Sequence, residues 1–167
     1  MNTLINVRER IVEGITEYAV PFLAIVKKGI FIRESYILME CIEGESIKSV
    51  ADIDEIMKIV NKLHKEKVYH GDLNTSNFIK TKNGMRIIDT QGKKEKYFYF
   101  KRWNDLFIMK NDLLVIEKEY KVEEKYYKKS KNVSYYMVLV IRKIKKLKFI
   151  EQLKSKKKEL RKKGWRI

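Results

Sequence analysis

Apolar and polar residues alternate in two rhythms along this chain, and the changes of rhythm divide it. Over residues 4–17, Ile5, Ile11, Val12 and Ile15 share roughly one helical face, interrupted by Gly14. Residues 22–26, 30–33 and 36–41 are rich in strand formers, punctuated by Gly29 and the Glu34-Ser35 pair, which predicts an antiparallel meander. Asp52, with Glu55 three residues on, reads as a capping box opening a helix with Ile53, Ile56, Met57, Val60 and Leu63 on its apolar face. After Val68-Tyr69 comes a polar loop, residues 70–77, then short strands at 78–80 and 85–88 around Lys82-Asn83-Gly84. An Asn-Gly pair between apolar runs is a strong hairpin signal. From about Arg102 the pattern is helical, broken by a polar stretch near 128–132. This order of elements predicts an α+β fold.

The 167 residues suffice for one ordinary domain, and 44% hydrophobic residues supply its core despite 36% charged side chains. Charge then separates the tail from the body. Thirteen Lys and Arg oppose two Glu in residues 142–167, which holds most of the net +16. From Met137, Val140, Ile141, Ile144, Leu147, Ile150 and Leu153 recur every three or four positions with lysines between them. Residues 136–167 therefore read as a basic amphipathic helix whose apolar stripe packs on the body. Beyond Leu153 the stripe fades while the charge persists, and Trp165 sits among basic residues. Such a tail favours polyanions: phosphorylated substrates, nucleic acid or an anionic membrane face. A single cysteine, Cys41, excludes an internal disulfide framework and predicts a reduced, cytoplasmic setting. The longest apolar runs, 18–26 and 135–141, are too short to span a bilayer, and residues 1–6 lack a secretory pattern.

The chemistry concentrates in His70-Gly71-Asp72-Leu73-Asn74-Thr75-Ser76-Asn77 and, past the hairpin, Asp89-Thr90-Gln91-Gly92. Phosphoryl transfer from ATP needs Mg²⁺ held against the phosphates and an acceptor hydroxyl oriented for in-line attack. Asp72 can accept the hydroxyl proton, while Asn77 and Asp89 can hold the metal once the hairpin folds the chain back. Oxygen ligands of this kind suit Mg²⁺ rather than zinc. Taken singly, each aspartate reads as a turn or strand-end residue; the ordered set points to chemistry.

On His70, Asp72, Leu73, Asn77 and Asp89 the sequence resembles the protein-kinase-like superfamily, whose catalytic loop runs H-x-D-L-x-x-x-N. The resemblance implies a kinase-like fold: a partial N-lobe with an antiparallel sheet over residues 1–45, a helical catalytic C-lobe over 46–135, and the basic helix over 136–167. It implies ATP and Mg²⁺ as cofactors, Asp72 as the catalytic residue, and Asn77 and Asp89 as metal and nucleotide ligands. Residues 36–44 look like the strand and hinge over which adenine sits, with the backbone of Glu40 and Ile42 facing the purine. In particular the chain resembles the lipopolysaccharide core heptose kinases, on residues 37–44, Leu63-His64, Gly71-Asp72, Asn77-Phe78-Ile79, Arg86-Ile87-Ile88-Asp89, Gly92-Lys93, Asp105-Leu106 and the basic tail. That implies phosphorylation of a heptose hydroxyl on a lipid-linked core oligosaccharide. The tail would then make peripheral contact with the anionic inner face of the cytoplasmic membrane, with nucleic acid ranking below it. Two alternatives stand beside this reading. One is the small atypical kinase of the tRNA threonylcarbamoyl complex, which normally keeps a phenylalanine after the metal aspartate. The other is a non-catalytic kinase remnant that grips anionic lipid or nucleic acid.

The departures from the kinase pattern are specific. Gly71 stands where many regulated kinases carry an arginine that pairs with a phosphorylated loop, so that switch is not expected. Asp89-Thr90-Gln91-Gly92 replaces Asp-Phe-Gly. The glycines, at 14, 29, 44, 71, 84, 92 and 164, form no glycine-rich loop. If residues 4–17 are the helix that supplies a glutamate (Glu9 or Glu13) to the phosphate-gripping lysine, that lysine is expected upstream of Met1. Lys27 and Lys28 come too late in the order to replace it. His70 is expected to serve loop architecture, and His64 to be packed rather than catalytic.

Overall fold

The computed structural model describes residues 7, 10–11, 14–15, 17–28, 31–95, 99–122, 126, 132–145 and 155, with backbone alone for 22–28 and 31–37. The architecture is α+β. Strands β1 (Pro21–Lys28) and β2 (Phe31–Met39) pair antiparallel from Pro21↔Met39 to Lys28↔Phe31, with a bulge between Val26 and Lys27. The expected meander is thus a two-stranded hairpin. Glu34 and Ser35 do not break it, because they pair with Val26 and Ile25. Backbone pairing satisfies a polar residue's main chain as well as an apolar one's. The N-terminal helix was expected to run to residue 17, but Gly14 closes it at φ +91. Gly14 N–H donates to Ile11 O, and Ile15 N–H donates to Arg10 O. A left-handed glycine in that position is a helix terminator. Glu9 and Glu13 lie outside the described residues.

Helix α1 (Val50–Lys65) begins earlier than its pattern predicts. Its N-cap is Ser49, whose Oγ accepts from Asp52 N at 3.2 Å, while Asp52 Oδ2 accepts from Ser49 N at 2.9 Å. Asp52 is therefore the third helical residue of the capping box, not the cap, and Glu55 is not its partner. Asp52 also accepts from Lys80 Nζ at 2.6 Å, which holds its carboxyl well below the usual carboxylate range. Ile53, Ile56, Met57, Val60 and Leu63 are buried, as the spacing predicts. Burying each is worth about 1.5–3 kcal/mol.

Past a left-handed Lys67 (φ 60), β3 (Val68–Tyr69) leads to the polar loop and a 3₁₀ turn, Thr75–Asn77. Strands β4 (Phe78–Thr81) and β5 (Gly84–Ile87) form the expected hairpin, from Phe78↔Ile87 to Thr81↔Gly84. Gly84 takes the left-handed position at φ 110 after the two-residue turn Lys82-Asn83. The hairpin is flanked on both sides: Tyr18 bridges to Ile87, and Glu45 to Lys80. A Cβ on Gly44 would run into Lys80 O and Ile79 Cγ2, so the chain can approach β4 only with glycine there. Strand β6 (Lys93–Lys94) then pairs back onto β3, and helices α2 (Phe100–Lys110) and α3 (Leu113–Glu117) follow. The core gathers Leu63, Val68, Leu73, Phe78, Ile87, Met109 and Val115. No described helix is long and apolar enough to cross a membrane.

The chain divides into two compact units, Met1–Lys129 and Ser130–Ile167. In the second, α4 (Val133–Lys145) carries the first residues of the predicted stripe. Val140 and Ile144 are 56% and 47% exposed, and the buried residues are Ser134, Tyr135 and Val138. The helix carries two apolar arcs, and periodicity alone picks out the exposed one. Leu147, Ile150, Leu153 and Trp165 lie outside the described residues.

Candidate functional site

The candidate site forms where the β3–β6 ladder meets the β4–β5 hairpin. Pairing of Tyr69 with Lys93 sets the residues after β3 beside those before β6. Gln91 N–H donates to His70 O at 2.7 Å, extending that ladder. Thr90 Oγ1 also donates to His70 O, at 3.2 Å, and accepts from Gly92 N at 3.1 Å. The hairpin closes the other side. Ile88 N–H donates to Asn77 O at 3.0 Å, and Asn77 Nδ2 donates to Asp72 O at 2.8 Å. Asp72, Asn77 and Asp89 are thus carried on one hydrogen-bonded backbone frame, as the hairpin argument predicts. Asp72 and Asp89 are exposed, and Asn77 is half-buried.

Beneath the loop lies a residue whose role the sequence pattern does not single out. Asp105, on α2, is fully buried. Its Oδ2 accepts from His70 N at 2.6 Å and its Oδ1 from Gly71 N at 2.9 Å. His64 Nε2 approaches the same Oδ2 at 3.3 Å. An ionised carboxylate only accepts, so Nε2 carries the imidazole proton in this arrangement. The available signal was a carboxylate at a core position among Trp103, Leu106, Phe107 and Met109, since a buried charge must have partners. Asp112 was missed. It caps α3 through Leu114 N (2.9 Å) and Val115 N (3.3 Å), and it also accepts from Thr75 N (3.0 Å) and Thr75 Oγ1 (3.1 Å) inside the loop. The start of α2 is held similarly. Glu95 accepts from Lys101 N at 2.7 Å and pairs with the buried Arg102, whose Nη1 donates to His64 O.

Both histidines are architectural, as expected. Burial pushes the imidazoles of His64 and His70 below their usual pKa and keeps them neutral. His70, 1% exposed, stacks at a tilt on Phe78 with 5.5 Å between ring centroids.

Glu40 and Ile42 follow β2. Glu40 is exposed, and its Oε2 accepts from Val20 N at 3.1 Å and Arg86 Nη2 at 2.7 Å. The Val20 N–H and then Arg86 lower its pKa. Arg86 also donates to Tyr18 O, which ties β5 to the N-terminal segment. Ile42 is half-buried just beyond. Among the described residues no hydrogen bond joins Glu40 or Ile42 to Asp72, Asn77 or Asp89. Between the end of this segment and the loop lies a cavity of about 410 Å³, lined by Gly44, Ser46, Ile47, Thr75, Ser76 and Leu114 among others.

Two carboxylates and a carboxamide oxygen are hard donors of the kind Mg²⁺ accepts. No cluster of three or more His, Cys, Asp or Glu side chains suited to a metal occurs among the described residues.

Fold and loop together define an α+β protein in which a polar loop is braced against a hairpin. The chain belongs to the lipopolysaccharide core biosynthesis protein (WaaY) family, whose model matches residues 2–156. No curated protein matches it.

Proposed function

We propose that this chain is an ATP-dependent kinase that phosphorylates a heptose hydroxyl of the lipopolysaccharide core. The observation that carries the reading is the frame linking Asp72, Asn77 and the Asp89 segment through Asn77 Nδ2–Asp72 O and Ile88 N–Asn77 O. Membership of a lipopolysaccharide core biosynthesis family supplies the acceptor class. Asp72 orients the acceptor hydroxyl and takes its proton as the new oxygen–phosphorus bond forms and the bond to the ADP oxygen breaks. Asn77 and Asp89 would hold Mg²⁺, which supplies charge neutralisation on the phosphates when bound. The backbone of Glu40 and Ile42 faces the purine in this reading. In a transfer assay with dephosphorylated core oligosaccharide and radiolabelled ATP, Asp72→Ala and Asp89→Ala each abolish labelling of the glycan. Equal labelling by both variants and the parent chain rules the mechanism out.

The lipid-linked acceptor gives the basic tail a purpose at the inner face of the cytoplasmic membrane. Its support is the charge of residues 142–167 and the exposed apolar arc of Val133, Met137, Val140 and Ile144 on α4. Each lysine near an anionic leaflet contributes about 1 kcal/mol. The full chain should sediment with phosphatidylglycerol vesicles at low salt and not with phosphatidylcholine vesicles. Equal partition between the two, or binding to RNA alone, removes the membrane from this reading.

A further inference from the structure

Gly71 and Gln91 fit one another in a way that neither the fold nor the proposed proton transfer requires. Gly71 sits at φ 94, and a Cβ built on it would lie 2.6 Å from Gln91 Cδ and 2.7 Å from its Cγ and Nε2. The Gln91 side chain thus occupies the space that any larger residue at 71 would claim. The backbone at both residues is held by hydrogen bonds. Gln91 N–H is bonded to His70 O, Thr90 and Gly92 are joined through Thr90 Oγ1, and Gly71 N–H is bonded to Asp105. The Gln91 side chain is exposed there. The result is a carboxamide presented to solvent beside the residue preceding Asp72, two positions after Asp89.

We infer that Gln91 is a specificity-determining residue for the acceptor, hydrogen-bonding a hydroxyl next to the one presented to Asp72. A carboxamide has donor and acceptor ends, and a sugar hydroxyl is both donor and acceptor, so either orientation can be matched. A site built to hydrogen-bond a hydroxyl discriminates against an analogue that lacks it, because its polar group is then left unpaired. This inference rests on the proposed role of Asp72.

The test measures binding and turnover of dephosphorylated core oligosaccharide by the full chain, with Gln91→Ala, Gln91→Glu and Asp72→Asn beside the parent. Gln91→Ala should raise the acceptor KM and Kd about tenfold, the size of one hydrogen bond. The KM for ATP and the melting temperature should stay unchanged. Gln91→Glu, which keeps an acceptor but loses the donor, should fall between. An acceptor deoxygenated beside the phosphorylated position should bind the parent about tenfold more weakly, and Gln91→Ala should bind both acceptors alike. An unchanged acceptor KM and Kd in Gln91→Ala, with turnover still dependent on Asp72, overturns this inference alone. A parent chain that neither binds nor labels the oligosaccharide overturns both it and the kinase reading.

Discussion

Asp105 and Glu40 do similar work in two regions of the molecule. Each carboxylate accepts from backbone N–H groups and faces a basic side chain: His70 N, Gly71 N and His64 for Asp105, Val20 N and Arg86 for Glu40. The side-chain contact at Glu40 is the shorter, 2.7 Å against 3.3 Å. The surroundings differ: the Asp105 side chain is fully buried, whereas that of Glu40 is 35% exposed. Water can replace what Glu40 offers, but nothing replaces Asp105 beneath the loop. Contact length is therefore a poor guide to which anchor matters. The cost of leaving a group unpaired is the better one.

The sharpest way to break the comparison is Asp105→Ala. It strands the amides of His70 and Gly71 in the interior and removes the partner of His64, so a loss of about 3–5 kcal/mol is expected in urea denaturation. Glycan labelling should fall with it, because the loop that carries Asp72 loses its floor. A loss under about 1 kcal/mol contradicts the assignment of Asp105 as the anchor. Asp112→Ala comes next. It uncaps α3 and frees Thr75, and should cost about 1–2 kcal/mol by the same measurement. Thr75→Val should retain most of the cap's share.

How much of this was legible in the sequence follows the same division. The buried face of α1, the β4–β5 hairpin and the backbone pairing of Ile88 with Asn77 depend on local spacing, and all were readable. Asp105 and Asp112 act across 35 and 37 residues of sequence, on His70 and Thr75, and no local periodicity encodes such a pairing. The cap of α1 was misread because Ser49 and Asp52 are both good cap residues, and only backbone conformation decides between them. Of the tail stripe only Val140, Ile141 and Ile144 lie among the described residues. Hydrophobic spacing finds an arc without saying what covers it.

The buried histidines give a graded test of the Asp105 side. Burial lowers the pKa of both His64 and His70, while the unfolded chain keeps the ordinary value near about 6.5. Below that pH the unfolded chain binds protons that the folded chain refuses, so stability falls as pH drops through about 6.5 and continues downward. Urea midpoints measured from pH 7.5 to 5 should decline with that sign. In His64→Gln the decline should be shallower, since one of the two titrating groups is gone. A flat profile would mean that neither imidazole is held neutral by burial.

Glu40→Gln should have the smallest effect and so sharpens the contrast from the other side. The pKa of Glu40 is lowered, first by the Val20 N–H and then by Arg86. A depressed carboxylate contributes stability above its unfolded value, about 4.3, and loses it as pH falls through the lower folded value. Its exposure limits that contribution to the range of surface pairs, about 0–1 kcal/mol, and salt screens it. At pH 7 the difference between parent and variant should be near the lower end of resolution in dilute buffer and vanish in 1 M salt. The Asp105→Ala deficit, by contrast, should persist in the same salt, because ions do not reach a buried carboxylate. A salt-resistant loss of more than about 2 kcal/mol in Glu40→Gln would show that the end of β2 is as firmly anchored as the loop, and the distinction by burial would fail.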